Sequence, residues 1–193
     1  MVRFFIGITH YDFIKKVMNL MMDQLQENAF KRFHLNIVIM WVMFMIAIFF
    51  YGGLIFLWEK KIFLLPPIEG IKEDMKNTFV ISFAFLSVIQ LLAGAFLERT
   101  LSAAEKIVKN IKSNPQMNSI ARSLAGAFTI NMVFRETIAV YGLGMYMMFH
   151  SIDVFYCFSV PALLLILMRY PSFNSWKEKA ELVLRHMPDA RLL

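Results

Sequence analysis

From Asn36 to Trp58 the chain runs 23 residues without a formal charge, and Thr78 to Leu97 does the same over 20. Blocks of that length match the ~20 apolar residues that cross the hydrocarbon core of a bilayer at ~1.5 Å of rise per residue. A soluble core buries apolar side chains in periodic stripes, so it has no use for apolar surface collected into such blocks. Charged residues make up 18% of the 193, below the roughly 25% of soluble domains, and mean hydropathy is +0.58. These features predict an all-α, polytopic membrane protein. Four spans are expected near residues 36–58, 78–97, 123–149 and 152–167, making a transmembrane domain over 36–169. Segments 1–35 and 170–193 flank it as cytoplasmic amphipathic helices.

The net charge of +6 would suit nucleic acid if it formed a separate basic, aromatic-interleaved face. Instead the lysines and arginines flank the apolar blocks, as membrane topology requires. The N-terminal segment, the segment between spans two and three, and the C-terminal segment hold five each. The first loop holds four together with four acids, and the 150–153 connection holds none. A cytoplasmic N-terminus places all three five-count segments inside. The chain is therefore expected in the cell (inner) membrane with both termini cytoplasmic, its partners being the lipid bilayer and other subunits or copies of itself. The opening MVRFFIGITH lacks the apolar core and small-residue cleavage site of a secretory signal, so an internal span is expected to direct insertion.

Local patterns refine the outline. Ile14, Met18, Met21 and Leu25 make one helical stripe ahead of the first span. Gly52 and Gly53 would admit a close helix neighbour. Pro66 and Pro67 break any helix in the first loop. From Glu98 to Lys112 there is no Gly or Pro, and Leu101, Ala104, Val108 and Ile111 keep a heptad-like spacing. Ser113, Asn114 and Pro115 then read as a turn, so spans two and three are predicted to be arms of one long helical hairpin projecting into the cytoplasm. LAGAF occurs in both arms, at Leu92–Phe96 and Leu124–Phe128, and small residues at matched depth would let the arms pack closely. Ser175-Trp176-Lys177-Glu178 reads as a capping box opening a last helix, with Trp176 suited to the headgroup region.

Chemistry-bearing residues are few. The single cysteine, Cys157, excludes an intramolecular disulfide, and the four histidines are scattered, so no metal site is expected. His150 and Asp153 share a helical spacing, but two side chains make no metal centre. No phosphate loop or nucleophile elbow is present, so neither enzymatic activity nor a cofactor is expected. The 15 methionines read as adaptable packing. What stands out is Arg135-Glu136 inside the third span. Counted from Arg122 to His150, Glu136 falls midway, about 20 Å from either end. Each such charge costs roughly 2.5–3.5 kcal/mol at a helix centre. A buried ion pair would offset that cost, either to fix helix register or to handle an ion. Gln90 and Asn131, counted to a similar depth, are candidates for an amide–amide hydrogen bond across the hairpin, and Tyr141 is a third supporting polar group.

The stretch Glu136-Thr-Ile-Ala-Val-Tyr141-Gly142-Leu143 resembles the ion-binding helix of the rotor-ring subunit c of F-type and V-type ATPases. Asn114-Pro115-Gln116 stands where that family has its polar cytoplasmic loop. The resemblance covers residues 78–149 and implies that Glu136 corresponds to the ion-carrying carboxylate, in a ring of many copies. Departures are the single Gly94 in span two, a longer loop, the extra spans one and four, and Arg135 beside the carboxylate. A fixed positive neighbour suits a locked carboxylate better than one that exchanges a proton. Two functions are thus expected: an ion-handling membrane subunit centred on Glu136, or a non-transporting scaffold in which Arg135 and Glu136 form a structural ion pair.

Overall fold

The computed structural model describes the backbone of residues 2–61, 75–111 and 117–185, and side chains from residue 27 onward within them, apart from 29, 109–111, 117–119, 184 and 185. Six helices follow in chain order: α1 Val2–Glu59, α2 Lys76–Leu101, α3 Ala104–Ile111, α4 Met117–Phe149, α5 Ile152–Leu167 and α6 Phe173–Arg185. No strand occurs among the described residues. The side chains of the Ile14–Leu25 stripe, the Pro66–Pro67 loop and the Ser113–Gln116 turn lie outside the described residues.

Two helices are long and apolar enough to cross a membrane, Phe30–Glu59 within α1 and Lys76–Leu101. The first is the outer half of a 58-residue helix, since no Gly or Pro stands between Gly7 and Gly52 to interrupt it. On α2 the side chains of Ile81, Phe85, Leu92 and Phe96 point outward, each 68–69% exposed, while Ser87 and Gly94 face inward. An apolar exterior over a small-residue interior is the inverse of a soluble helix and the pattern a lipid-facing one needs. The 16-residue α5 is apolar but shorter, and the 33-residue α4 carries Asn131, Arg135 and Glu136 in mid-length.

Helix α4 is the hub, packing on α5, α2 and α1. Its buried residues Ile120, Leu124, Phe128, Met132, Ala139 and Met145 form the axis of the main core. α1 runs parallel to it, with Met40 beside Thr129, Tyr51 beside Glu136 and Glu59 beside Tyr146. α2 and α5 run antiparallel. The two-residue connection between α4 and α5 turns at His150, whose φ of 48° is the left-handed C-terminal cap that glycine usually supplies. Near the other end, α6 contacts α3, α4 and α1. Glu27 near that end lies below the usual carboxylate range, chiefly because Lys31 binds it at 2.8 Å, with further help from the Lys31 and Lys177 charges.

Three local expectations are corrected. The α2–α4 connection is not one long hairpin arm: α2 stops at Leu101, Ser102 and Ala103 interrupt it, and α3 starts a separate helix that packs on α6 and α4. Tertiary packing of α3's apolar face on α6 outweighs helix continuity there. Second, the LAGAF copies are not opposite each other. Gly94 faces Phe134, with 3.0 Å between a Cβ at Gly94 and Phe134 Cδ2, whereas Gly126 has open space around it. The register of the two arms is offset, and α2 ends at Leu101 before α3 begins. Third, α6 begins at Phe173 and its cap is Ser172, whose Oγ accepts from Ser175 N–H at 3.4 Å. Pro171 ends the preceding connection and sets that earlier start. Trp176 is buried, edge-on to Phe128 at 5.6 Å.

Candidate functional site

Around the middle of α4, three consecutive turns project polar side chains in two directions. Asn131 and Arg135 are one turn apart and face α2 and α5, and Glu136, roughly 100° further round, faces α1. Arg135 Nε donates to Asn131 Oδ1 at 2.6 Å. Its Nη1 donates to the Leu165 carbonyl. Asn131 Nδ2 donates to Glu98 Oε2, which also receives Arg169 Nη2 at 2.9 Å. A chain of hydrogen bonds therefore runs from α5 through α4 to α2 and back to the residue just beyond α5.

The Leu165 carbonyl explains why a guanidinium belongs here. Leu165 is in the last turn of α5, where carbonyls lose their intrahelical donors. Met168 N–H serves Leu164 O at 2.9 Å and Arg169 N–H serves Ile166 O at 3.0 Å, so Leu165 O is skipped. Arg135 fills the gap from the side, and its charge also meets the negative end of the α5 dipole. Ile166 O receives a second donor, Trp41 Nε1 at 2.8 Å. Side chains of α4 and α1 thus close the C-terminus of α5.

Glu136 has a different partner. Tyr51 on α1 donates its hydroxyl to Glu136 Oε1 at 2.6 Å. Nearly three turns on along α4, Tyr146 donates to Glu59 Oε1 at 2.6 Å, so two phenol–carboxylate bonds tie α1 to α4. Beyond them Trp58 and Tyr146 rings enclose His150, at 5.8 and 6.0 Å between centroids. Lys76 Nζ donates to Ser151 Oγ at 2.9 Å, fixing the start of α2 to the α4–α5 connection.

Against the sequence-based expectations, Arg135 and Glu136 are both partly buried but are not a pair. Among the described residues the ion pairs are Glu27–Lys31 and Glu98–Arg169. Adjacent helix positions diverge too far for the two to meet when each has a closer partner on another helix. Gln90 and Asn131 do not meet either. Gly94 packs on Phe134 and Glu98 on Asn131, so Gln90 lies about two turns along α2 from Asn131's level. Its buried Oε1 has no hydrogen-bond partner among the described residues. Tyr141 sets its ring at a tilt against Phe83, 5.1 Å between centroids, and the bond to Glu136 comes from Tyr51 instead. The expectation that Glu136 lies about 20 Å from either end of its span takes Arg122 as one edge. In the structure α4 continues well past the ends of α2 and α5, alongside α3 and α6. Arg135 is level with the last turn of α5.

Sequence reasoning missed Tyr51, Glu98 and Leu165 O as partners. Tyr51 had a visible signal, a hydroxyl inside an otherwise charge-free block, and Glu98 another, a carboxylate at the exact end of one. The carbonyl had none, because its vacancy depends on how α5 frays. Among the described residues no group of three or more His, Cys, Asp or Glu is placed to hold a metal ion. No family model, curated protein or solved structure matches this chain.

Proposed function

We propose that this chain is a non-transporting membrane scaffold: four helices, α1, α2, α4 and α5, cross the bilayer, and its mid-helix polar groups hold them in register. One observation carries the reading: the three mid-helix groups Glu136, Asn131 and Arg135 are each engaged by a different neighbouring helix, by α1, α2 and α5 in turn. Groups used this way satisfy one another, so their burial needs no water path. The basic clusters flanking the spans support cytoplasmic termini in the inner membrane. Lipid and other copies or subunits are the partners, and no chemistry is assigned to the chain itself.

The Tyr51–Glu136 bond gives the test. Tyr51→Phe, Glu136→Gln and the double variant, unfolded thermally in detergent, should show a coupling of about 0.6–2 kcal/mol. Additive losses would mean that the bond does not hold α1 to α4.

A second reading is favoured by the direction of Arg135. Because that cation serves α5, Glu136 is held among the described residues by a neutral hydroxyl, and the rotor-like Glu136-to-Leu143 stretch keeps an ion-handling carboxylate as its alternative. Proteoliposomes discriminate the two. The scaffold requires that Glu136→Gln leave proton and sodium flux unchanged. A flux that disappears in that variant, from a protein that still assembles as a ring, would replace the scaffold with the ion carrier.

A further inference from the structure

Between the ends of α2 and α5 and the first turns of α6 lies a cleft of about 130 Å³, well above the ~10–15 Å³ that one water needs. Its floor is apolar, built by Leu124, Ala127 and Phe128 of α4. Its rim is polar and carries Arg169, Lys179, Ser172, Ser175 and the aromatic rings of Tyr170 and Trp176.

Charge decides what such a rim can hold. Glu98 is the acidic group in the wall, and it is already covered by Asn131 Nδ2 and Arg169 Nη2. Arg135 stands behind Asn131. Three cations, Arg135, Arg169 and Lys179, therefore surround one satisfied carboxylate. Arg169 spends one bond of the five N–H donors of a guanidinium on Glu98. Lys179 has no recorded partner among the described residues and is exposed at the rim. The Ser172 hydroxyl accepts from Ser175 N–H, which leaves its own O–H to donate. The first-turn N–H groups of α6 add partial positive charge at the same place. Met168, which lines the cleft, is 81% exposed and its neighbour Leu167 44% exposed, so apolar surface leads directly to the cationic rim.

We infer that this cleft binds a phosphate group, seated between Arg169 and Lys179 with the Ser172 and Ser175 hydroxyls beneath it. A phospholipid headgroup and a free phosphate share that chemistry. The lipid additionally lays its acyl chains along Leu167 and Met168. This inference rests on the membrane placement of α5 proposed above, which alkaline extraction of membranes checks separately.

Titration of the full chain in phosphate-free maltoside detergent tests it, with bound lipid counted by native mass spectrometry and stabilisation read by thermal shift. The probes are phosphatidylglycerol, phosphatidylcholine and inorganic phosphate. Lys179→Gln should weaken binding about fivefold, the equivalent of the ~1 kcal/mol carried by one interfacial lysine. Lys177→Gln removes the same charge from the same helix, at a residue that does not line the cleft, and should leave binding unchanged. Lys179-sensitive binding of the lipids at concentrations where inorganic phosphate fails identifies a headgroup. Equal Lys179-sensitive binding of inorganic phosphate identifies a free anion. Equal weakening by both variants would mean general surface attraction, and no weakening by Lys179→Gln would mean that the phosphate sits elsewhere; either result overturns the assignment. If the chain resists alkaline extraction while the cleft fails, the membrane reading stands without it.

Discussion

Gly142 and Gly126 lie on the same helix and lead to opposite forecasts. A Cβ at Gly142 would stand 2.9 Å from Phe158 Cβ and 3.0 Å from the Phe155 carbonyl oxygen of α5, while one at Gly126 meets nothing within 4 Å. Backbone cannot swing aside as a side-chain end can, so Gly142→Ala must push α5 away. Overpacking of that kind costs about 1–3 kcal/mol, more than the ~1 kcal/mol that alanine gains over glycine in helix propensity. Thermal unfolding in detergent should therefore show Gly142→Ala lowered in stability and Gly126→Ala raised. A rise for both would mean that α4 and α5 are further apart than described. Gly94→Ala should fall between, because its neighbours are Phe134 side-chain atoms alone, Cδ2 at 3.0 Å and Cβ at 3.2 Å, with no backbone atom among the nearest three. Gly142 belongs to the stretch that resembles a rotor helix, and here its smallness has a packing role of its own.

Among the elements, α5 depends most on its neighbours for a proper end. Its last-turn carbonyl at Leu165 is served by Arg135, and that at Ile166 by Trp41 as well as by the Arg169 N–H. The two arginines near this end should differ sharply. Arg169 is 43% exposed in its ion pair with Glu98, and such pairs contribute about 0–1 kcal/mol. Removing Arg135 strands both the Leu165 carbonyl and Asn131 Oδ1, a loss of roughly 2–3 kcal/mol. Arg135→Gln should thus destabilise the protein several times more than Arg169→Gln, with hydrogen exchange rising around residues 165–170. Comparable effects from the two would show that the carbonyl has found water. How much of this was legible beforehand follows from the same residues. Arg135 was conspicuous in sequence because a charge in an apolar helix always is. Its role as a cap was not, since it depends on where α5 ends relative to α4.

At the scale of the whole molecule, the helix pairings give both ends of the bundle definite membership. Glu27 feels the Lys177 charge, and His34 Nε2 donates to the Pro171 carbonyl at 2.6 Å, so the middle of α1 and the start of α6 share one end. Trp58 packs on His150 at the other end, about 36 Å away for the helical rise between His34 and Trp58. In a Cys157→Ser background, single cysteines at positions 31 and 179 should react with an impermeant maleimide from the same side of the membrane. Cysteines at 61 and 153 should react from the opposite side only. All four labelled from one side would place the chain on the bilayer surface and end the four-span proposal.

By itself the sequence determined the apolar blocks and their helical character, though not the interruption at Ser102 or the start of α6. Helix formation, charge exclusion and proline breaks are set within a few neighbouring residues, so Ile152–Leu167 and the charge-free stretch of α1 could be read directly. It also determined that Arg135 and Glu136 are mid-helix charges needing partners. Tertiary structure alone decided which partners. The 100° step between successive residues gives Arg135 to α5 and Glu136 to α1 once α4 is rotated into its core. The close approach at Gly142 then sets how far α5 slides along α4, and hence which carbonyl stands opposite the guanidinium. Rotation and slide are properties of packed pairs of helices, and no periodicity within one helix encodes them.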